Sequence, residues 1–166
     1  MTAFTNKVDF AVIFTVNKAN PNGDPLSGNQ PRIDYKGYGE VSDVCIKRKI
    51  RNRLQDMGEN IFVQSDERSN DGFRSLSERA SNNKDLKAAA KDREAYASAA
   101  CKEWADVRAF GQVFAFKTNS VSVGVRGPVS IRTAESINPV VTTDMKITKS
   151  VNSEPSEKRS SDTMGM

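Results

Sequence analysis

The alternation of side chains between positions 8 and 16 constrains the fold of this chain most. Large apolar residues at every second position, Phe10, Val12, Phe14 and Val16, alternate with Asp9, Ala11, Ile13 and Thr15. This period of two is typical of a β-strand. Because Ala11 and Ile13 make the second face partly apolar as well, we predict that residues 8–16 form a central strand of a sheet.

A long polar stretch follows, from residue 17 to residue 39. It contains the run Asn20-Pro21-Asn22-Gly23-Asp24-Pro25 and, further on, Gly28, Pro31, Gly37 and Gly39. Such residues favour turns over helices and strands. A loop of this length inside a compact domain is usually functional or disordered. Residues 20–34 are either an ordinary Pro/Gly turn or, as we favour, the first candidate for a binding site.

Residues 42–58 are predicted to form a helix. Ser42 suits the N-cap, Asp43 complements the helix dipole in the first turn, and Gly58 marks the end. An apolar stripe at helical spacing is expected to pack on the sheet; it consists of Ile46, Ile50, Leu54 and Met57. Cations fill many of the other positions: Lys47, Arg48, Lys49, Arg51 and Arg53. Lys47, Lys49 and Arg53 flank the stripe, whereas Arg48 and Arg51 are expected to face solvent.

The middle of the chain mixes a strand pattern with helical ones. Residues 61–64 are a candidate for a short second strand, and residues 76–105 are predicted to be helical. We interpret this helical part as an insertion that packs on the main body through Leu86, Tyr96 and Trp104.

Extended patterns return after the helical part. Strands are predicted at residues 113–116 and 121–125, and Pro128 indicates a strand end or edge. Residues 133–152, with a turn near Asn138-Pro139, suit an extended hairpin. Residues 153–166 carry no apolar stripe and are predicted to be mobile. A strand, a helix and further strands indicate an α+β fold.

Composition limits the function classes open to the chain. With 166 residues and 37% hydrophobic content, one domain is expected. No stretch approaches the roughly 20 apolar residues that a membrane span needs, and no secretory signal is present, so we expect a cytoplasmic protein. Cys45 and Cys101 are expected to be reduced thiols. The chain contains no histidine, which excludes serine, cysteine or zinc chemistry that depends on imidazole; we expect no cofactor and no metal.

Positive charge is concentrated in the two outer segments. Residues 1–58 hold nine basic and six acidic side chains, a net charge of +3, and residues 107–166 hold eight and five, again +3. Residues 59–106 hold eight and ten, a net charge of -2. Because Lys and Arg bind nucleic acids by neutralising phosphates, a polyanion is the favoured partner.

Five motifs in fixed order resemble a known family. They are Asn20-Pro-Asn-Gly-Asp-Pro25, Asn29-Gln-Pro-Arg-Ile-Asp34, Val41-Ser-Asp-Val-Cys-Ile-Lys-Arg-Lys-Ile-Arg-Asn52, Asp106-Val-Arg-Ala-Phe-Gly111 and Val125-Arg-Gly-Pro-Val129. Together they resemble the backbone subunit of the type I-C CRISPR Cascade complex, the Cas seven family of the RAMP superfamily. The resemblance covers essentially the whole chain. Family members continue past residue 166 into further strands, so the chain resembles an N-terminal portion.

The resemblance implies a modified ferredoxin-like or RRM-like palm with a helical finger and a β-hairpin thumb. On this interpretation the palm takes residues 1–64 and 107–132, the finger 65–106 and the thumb 133–152. It also implies that several copies stack head to tail along one CRISPR RNA, beside other Cascade subunits. The exposed guide bases then pair with target DNA while the protein holds the backbone.

Candidate RNA-binding residues come from three regions. The loop supplies Asn20, Asn22, Gly23, Asn29 and Arg32; the helix supplies Lys47, Lys49 and Arg53; the later segments supply Arg108, Gly111, Gln112, Arg126 and Lys149. Neutral amides, glycine backbone and cations are the groups that contact phosphates. Phe110 either stacks on a base or packs in the core. Lys146 is a further thumb candidate.

Two alternative functions remain open at this point. Related subunits of type III complexes cut RNA with a loop aspartate, so Asp24 or Asp34 would serve in a metal-dependent endoribonuclease. Asp24 equally suits an Asx-turn that holds the loop, and this structural interpretation is favoured. The third possibility is a module that contacts only other protein subunits.

Overall fold

The computed structural model describes residues 5–116, 122–148 and 163–165, and the chain divides into two compact units. The central unit is Val41–Ala134. The flanking unit is formed by the described residues before and after it. In chain order the strands are β1 (Gly23–Asp24), β2 (Gln30–Pro31), β3 (Tyr38–Val41), β4 (Gly111–Phe114), β5 (Val123–Arg126), β6 (Ala134–Pro139), β7 (Lys146–Thr148) and β8 (Thr163–Gly165). The α-helices are α1 (Asp43–Asp56), α2 (Leu76–Asn82), α3 (Lys84–Ala88), α4 (Arg93–Glu103) and α5 (Ala105–Phe110).

The mixture of helices and strands agrees with the predicted α+β class. Within the described residues the strands form four two-stranded sheets, β1 with β2, β3 with β6, β4 with β5, and β7 with β8. None of the helices in these ranges is long and apolar enough to cross a membrane.

The prediction of a central strand at residues 8–16 is wrong for the described structure. These residues have no regular secondary structure, and their apolar side chains are exposed. A strand exists only where a second strand satisfies its backbone N–H and C=O groups. No described segment provides that second strand.

Helix α1 begins and ends as the sequence predicts. Ser42 is the N-cap, and its hydroxyl accepts a hydrogen bond from the Cys45 N–H at 3.3 Å. The helix ends at Asp56, and Gly58 follows with a φ of +87° that an L side chain rarely adopts. The apolar stripe is less buried than expected, because Met57 is exposed and Ile46, Ile50 and Leu54 are half-buried.

The prediction of a strand at residues 61–64 is wrong, because side chains replace the missing strand partner. Phe62 and Val63 donate their N–H groups to the Asp106 carboxylate at 2.7 and 3.1 Å. Their carbonyls accept from the guanidinium groups of Arg79 and Arg48, each at 2.7 Å. The segment is therefore buried with its backbone satisfied although it lies in no sheet.

Arg79 connects this segment to the loop before α2. Its guanidinium is buried and forms an ion pair with Asp71, including a bond of 3.0 Å from Nη2. Hydrogen bonding from Arg79 holds the pKa of Asp71 below its usual value. Arg79 thus holds the backbone carbonyl of Phe62 and the carboxylate of Asp71 next to each other.

The core of the central unit is built around aromatic rings. Phe62 lies 4.6 Å from Trp104 and 5.1 Å from Phe114, and Tyr96 meets Phe114 edge-on at 5.4 Å between ring centroids. These distances suit tilted and edge-to-face aromatic pairs. The buried cluster comprises Phe62, Ala80, Leu86, Tyr96, Ala100, Trp104, Val107, Phe114 and Val123. Leu86, Tyr96 and Trp104, the residues expected to anchor the helical part, are all in it.

The two strands predicted after the helical part are present with shifted ends. β4 and β5 pair antiparallel, with Gly111 opposite Arg126 and Phe114 opposite Val123. β5 ends before Pro128, as expected. Position 121 lies outside the described residues.

The strands after residue 133 pair differently from the predicted hairpin. β6 pairs with β3, and β7 pairs with β8 in an antiparallel register that joins Ile147 to Met164. The predicted turn at Asn138-Pro139 is wrong, because both residues lie within β6. The segment predicted to be mobile falls outside the described residues except for β8, which forms a strand.

Removing the Asp106 carboxylate should destabilise the central unit strongly. Asp106 is 1% exposed, and Asp106→Ala leaves two backbone N–H groups and the Arg51 guanidinium without their acceptor. Breaking a buried ion pair in this way costs about 3–5 kcal/mol. We expect that loss in the free energy of unfolding, measured by urea denaturation. Glu59→Ala, at an exposed position, should change it by no more than about 0.5 kcal/mol. Equal stability of the two variants would contradict this account of the core.

Candidate nucleic-acid interface

The predicted RNA-binding residues fall into two sets, one in each unit. The flanking unit holds Asn20, Asn22, Gly23, Asn29 and Arg32; the central unit holds Lys47, Lys49, Arg53, Arg108, Gly111, Gln112 and Arg126. Lys149 lies outside the described residues, and of Lys146 only its place in β7 is described. Each unit therefore carries its own candidate set.

The loop of residues 20–34 folds back on itself as a small hairpin. Gly23 lies opposite Pro31 and Asp24 opposite Gln30 in an antiparallel pair. The turn between them is a 3-10 helix, Pro25–Ser27, followed by Gly28 and Asn29 with φ values of 64° and 61°. Glycine and asparagine are the residues that adopt this left-handed conformation most readily, which explains their place at this corner.

Side-chain amides hold the loop closed. The Asn20 amide donates to the Asn29 carbonyl at 2.8 Å, and Asn29 donates its backbone N–H to the Asp24 carbonyl at 2.8 Å. The Asn29 side chain lies so close to Gly23 that a Cβ at position 23 would overlap it. A side chain at position 23 would therefore force the Asn29 side chain to move.

Arg32 presents the cation of this loop. Its backbone is fixed by a bond from its N–H to the Asn22 carbonyl at 2.9 Å. Its side chain is 47% exposed, and Nε lies 3.4 Å from a Glu40 carboxylate oxygen. A contact of this length at the surface is weak, so the guanidinium can still bind an anion.

The two loop aspartates accept hydrogen bonds from neighbouring backbone. Asp24 accepts from the Leu26 N–H at 3.1 Å and from the Ser27 hydroxyl at 3.3 Å. Asp34 accepts from the N–H groups of Lys36 and Tyr38, each at 2.8 Å. Both carboxylates therefore stabilise turns, as in the favoured interpretation of Asp24. The described residues contain no group of three or more acidic or cysteine side chains that could hold a metal ion.

Sequence reasoning missed an exposed aromatic residue at the tip of the second turn. Tyr35 is 91% exposed, and the Lys36 ammonium lies 5.3 Å from the centre of its ring. The pairing of Asp34 N–H with the Tyr38 carbonyl at 2.8 Å closes the turn that carries both. An aromatic ring beside a cation is a common contact for single-stranded nucleic acids. The sequence signal that could have revealed this exposed ring is the position of Tyr35 in a turn region, between Pro31 and Gly37.

Helix α1 divides its cations between two environments. Lys49 and Arg53 are exposed and lie one turn apart. Among the described residues neither side chain has a hydrogen-bond or ion-pair partner. Lys47 instead forms an ion pair with Asp43 at 3.0 Å, and its hydrogen bond lowers the pKa of Asp43.

The expectation that Arg48 and Arg51 face solvent is wrong. Arg48 donates to the Val63 carbonyl, and burial, with the nearby charge of Arg51, lowers its pKa. Arg51 is only 13% exposed and forms an ion pair with Asp106 at 2.9 Å. The buried carboxylate and the carbonyls of residues 61–64 attract this face of the helix, a requirement that apolar periodicity does not reveal.

Two sequence motifs meet where α5 joins β4. Gly111 has a φ of +78°, and a Cβ on it would overlap the Val125 carbonyl and the Gly127 nitrogen. A Cβ on Gly127 would overlap backbone atoms of residues 109–111. Val129 completes the contact by donating its N–H to the Ala109 carbonyl at 2.9 Å. The motifs ending in Gly111 and beginning at Val125 are thus parts of one tight backbone junction.

This junction carries two exposed cations. Arg126 lies at the end of β5, opposite Gly111, and its side chain has no polar partner among the described residues. Arg108 is exposed and donates to the Cys101 carbonyl at 2.8 Å. Gln112 is half-buried and donates to the Val113 carbonyl at 3.1 Å. Phe110 is half-buried beneath Arg51, whose guanidinium carbon lies 5.2 Å from the ring centre, so packing within the protein engages this ring.

Comparisons with known proteins agree on one family. The family model described as CRISPR-associated protein Cas7 matches residues 6–166. A protein named CRISPR-associated protein Cas7 from Haloferax volcanii is 29% identical over 154 residues, covering 81% of this chain. The chain spans 44% of the length of that relative.

Substitution of Gly127 should disrupt the junction that positions Arg108 and Arg126. Gly127→Ala places a methyl group against backbone atoms that cannot rotate away, and overpacking of this kind costs about 1–3 kcal/mol. Gly124 lies in β5, three residues before Gly127, and a Cβ on it would meet open space, so Gly124→Ala is the matched control and should not destabilise. Urea denaturation of both variants measures the difference; an equal effect would show that the junction has room for a side chain.

Proposed function

Since the chain belongs to the family of CRISPR-associated protein Cas7, we propose that it is a non-catalytic RNA-binding backbone subunit of a type I-C Cascade complex. It grips the guide RNA through its sugar-phosphate backbone and leaves the bases free to pair with target DNA. The observation that carries this proposal is the pair of exposed cations Lys49 and Arg53 on one face of α1, whose side chains have no polar partner in the part of the chain that the structure describes. Phosphate neutralisation by such groups requires no particular base sequence.

Further cations of the central unit support the same role. Arg126 and Arg108 extend from the glycine junction, whose close backbone contacts fix their Cα positions. Lys47 can contribute only by leaving Asp43, so we assign it a smaller part. Fixed cations on a rigid framework hold an RNA chain without reading it.

The loop of the flanking unit adds contacts of a different kind. Arg32 supplies a cation, and the amides of Asn20 and Asn29, already ordered within the hairpin, keep the loop in one shape. Tyr35 offers a ring on which a base can stack, next to the Lys36 ammonium. Stacking of this kind tolerates any base.

In the proposed assembly, copies of the chain associate with one another and with other Cascade subunits along the guide. A modified ferredoxin-like palm and a thumb after residue 133 are part of this proposal. The guide supplies sequence recognition, and the protein supplies shape and phosphate recognition. No membrane contact is involved.

The metal-dependent endoribonuclease receives less support from the site. Asp24 and Asp34 use their carboxylate oxygens as acceptors for turn N–H groups. Within the described residues, neither aspartate belongs to a group of three or more acidic or cysteine side chains that could hold a metal ion. We therefore retain the non-catalytic role.

Replacing Lys49 and Arg53 by alanine should reduce the salt dependence of RNA binding. Each phosphate contact on single-stranded nucleic acid contributes about 0.7 to the slope of log K against log salt, so losing two should lower its magnitude by about 1.4. Fluorescence anisotropy with a single-stranded RNA, titrated at several salt concentrations, measures the slope.

The matched control removes the same two residue types elsewhere in the central unit. Lys91 and Arg93 are exposed in the acidic helical part, and Lys91→Ala with Arg93→Ala should leave the slope unchanged. If the two double variants alter the slope equally, α1 is not the contact surface. If neither binds less tightly than the parent chain, the proposed phosphate contacts do not exist.

Incubation of the protein with labelled RNA and magnesium or manganese should give no specific cleavage. Asp24→Ala should leave this result unchanged while loosening the turn, because its carboxylate caps Pro25–Ser27. Gel analysis of the RNA gives the answer. Reproducible cleavage that disappears in Asp24→Ala would replace the proposed role by the endoribonuclease.

A further inference from the structure

A cavity of about 440 Å³ lies within the central unit, between the segment of residues 60–73 and parts of α2, α3 and α4. Its volume is in the range of sites that bind small ligands, about 300–1,000 Å³. Carboxamide side chains contribute much of its lining: Asn60, Gln64, Asn70, Asn82 and Asn83. The cavity is therefore large enough for a small ligand and is lined by groups that both donate and accept hydrogen bonds.

Trp104 brings a buried hydrogen-bond donor to this cavity. The residue lines the cavity at 4% exposure, and its ring packs against Phe62 and Phe114. Its indole N–H has no acceptor among the residues that the structure describes, although a buried tryptophan usually has one. In the same ranges Arg68 Nε is the one fully enclosed side-chain nitrogen or oxygen without a partner, so the indole nitrogen is in contact with open space. A ligand acceptor in the cavity would satisfy it.

Arg79 supplies further donors to the same cavity. It is 5% exposed, and it donates to the Phe62 carbonyl and to both carboxylate oxygens of Asp71. A guanidinium carries five N–H groups, so two remain on a side chain that lines the cavity. Because Asp71 neutralises its charge, Arg79 acts here as a hydrogen-bond donor more than as a cation.

Charges around the cavity favour an uncharged ligand. Once Arg79 and Asp71 are paired, Lys84 stands against Asp85 and Glu103. Anionic side chains therefore outnumber cationic ones, which disfavours a phosphate group. An uncharged ligand loses nothing to this balance and gains the hydrogen bonds of the carboxamides.

Apolar side chains complete the wall. Ile61 and the half-buried Phe73 line the cavity beside the carboxamides. A nucleobase has flat apolar faces and an edge on which donors and acceptors lie side by side, and asparagine and glutamine pair with such edges through two hydrogen bonds. A nucleobase is therefore the ligand class that matches both kinds of lining.

We propose that this cavity is a nucleobase-binding site, which takes the uncharged base of a nucleoside or of an RNA chain. Trp104 and Arg79 donate to acceptors of the base, and the carboxamide of Asn70 pairs with its edge. Phe73 borders its face. The site is separate from the phosphate contacts proposed for α1, so either proposal can fail without the other.

Fluorescence of Trp104 tests the site directly, because it is the only tryptophan in the chain. Titration with adenosine, guanosine, cytidine and uridine should change its emission saturably for at least one nucleoside, and isothermal titration calorimetry should give the same Kd. The 5′-monophosphate of that nucleoside should bind more weakly, because it adds negative charge. N-acetyltryptophanamide in place of the protein corrects for light absorbed by the nucleosides.

Two variants locate the binding within the cavity. Asn70→Ala removes a carboxamide that has no hydrogen-bond partner in the described part of the chain, and Trp104→Phe keeps an aromatic ring but removes the N–H. Each should weaken nucleoside binding in calorimetry by about 2- to 12-fold, the loss expected for one hydrogen bond. Asn138→Ala, at an exposed position of the flanking unit, is the matched control and should bind as the parent chain does. Circular dichroism verifies that each variant is folded.

Three results would overturn the proposal. The first is the absence of a saturable response to any of the four nucleosides. The second is an equal response to N-acetylglycinamide, a mimic of the peptide bond, since the cavity would then bind peptides. The third is nucleoside binding that is unchanged in both Asn70→Ala and Trp104→Phe.

Single-stranded oligoadenosine and oligouridine identify the source of the base. If a base of bound RNA enters the cavity, these oligonucleotides should change the emission of Trp104 and should compete with the nucleoside. If the cavity admits free nucleosides only, the oligonucleotides should leave nucleoside binding unchanged. Either result supports a nucleobase site. The variant in which Lys49 and Arg53 are both alanine should bind free nucleosides as the parent chain does, which separates this site from α1.

Discussion

The carboxylate of Asp106 joins three segments that are far apart in the sequence. It lies on α5, accepts the N–H groups of Phe62 and Val63, and forms an ion pair with Arg51 of α1. A charge at 1% exposure is unfavourable unless nearby donors compensate for the lost hydration. Three donors at 2.7 to 3.1 Å provide that compensation, so the central unit has one arrangement of α1, α5 and the segment between them.

This arrangement determines which cations remain available for a partner. Arg48 and Arg51 turn toward the carbonyl of Val63 and the carboxylate of Asp106, respectively. Lys49 and Arg53 consequently occupy the opposite part of the helix surface and are exposed. The exposure of Lys49 and Arg53 is therefore a consequence of the buried polar network, and a change at Asp106 would also change the presentation of α1.

Local signals in the sequence predicted the elements that depend on local physics. Ser42 caps α1 as expected, Gly58 follows its end, and the alternating valines near position 123 form a strand. The corner at Gly28 and Asn29 was also recognisable as a turn. In these cases the residue's own conformational preference decides the outcome, and no distant partner is involved.

Failures of prediction occurred where a distant partner decides the outcome. Periodicity records which side chains avoid water, but it does not say what satisfies the backbone. At residues 61–64 the partners are Asp106, Arg79 and Arg48, none of which a strand pattern can indicate. At residues 8–16 the pattern was real but the described chain offers no partner. Arg48 and Arg51 were wrongly expected to face solvent because the apolar stripe was taken as the only buried face of α1.

The hydrogen bonds of the aspartates in the loop of residues 20–34 bear on whether the loop would bind or cleave RNA in the proposed function. A carboxylate that accepts turn N–H groups has its charge partly neutralised by backbone dipoles, so it repels a nearby phosphate less. The same bonds shape the hairpin that carries Arg32 and the turn that carries Tyr35. In the proposed function, Asp24 and Asp34 would contribute through the backbone conformation that they impose on the loop. In the proposed function this surface positions a phosphate chain, whereas metal-assisted hydrolysis would require carboxylates that converge on a metal ion.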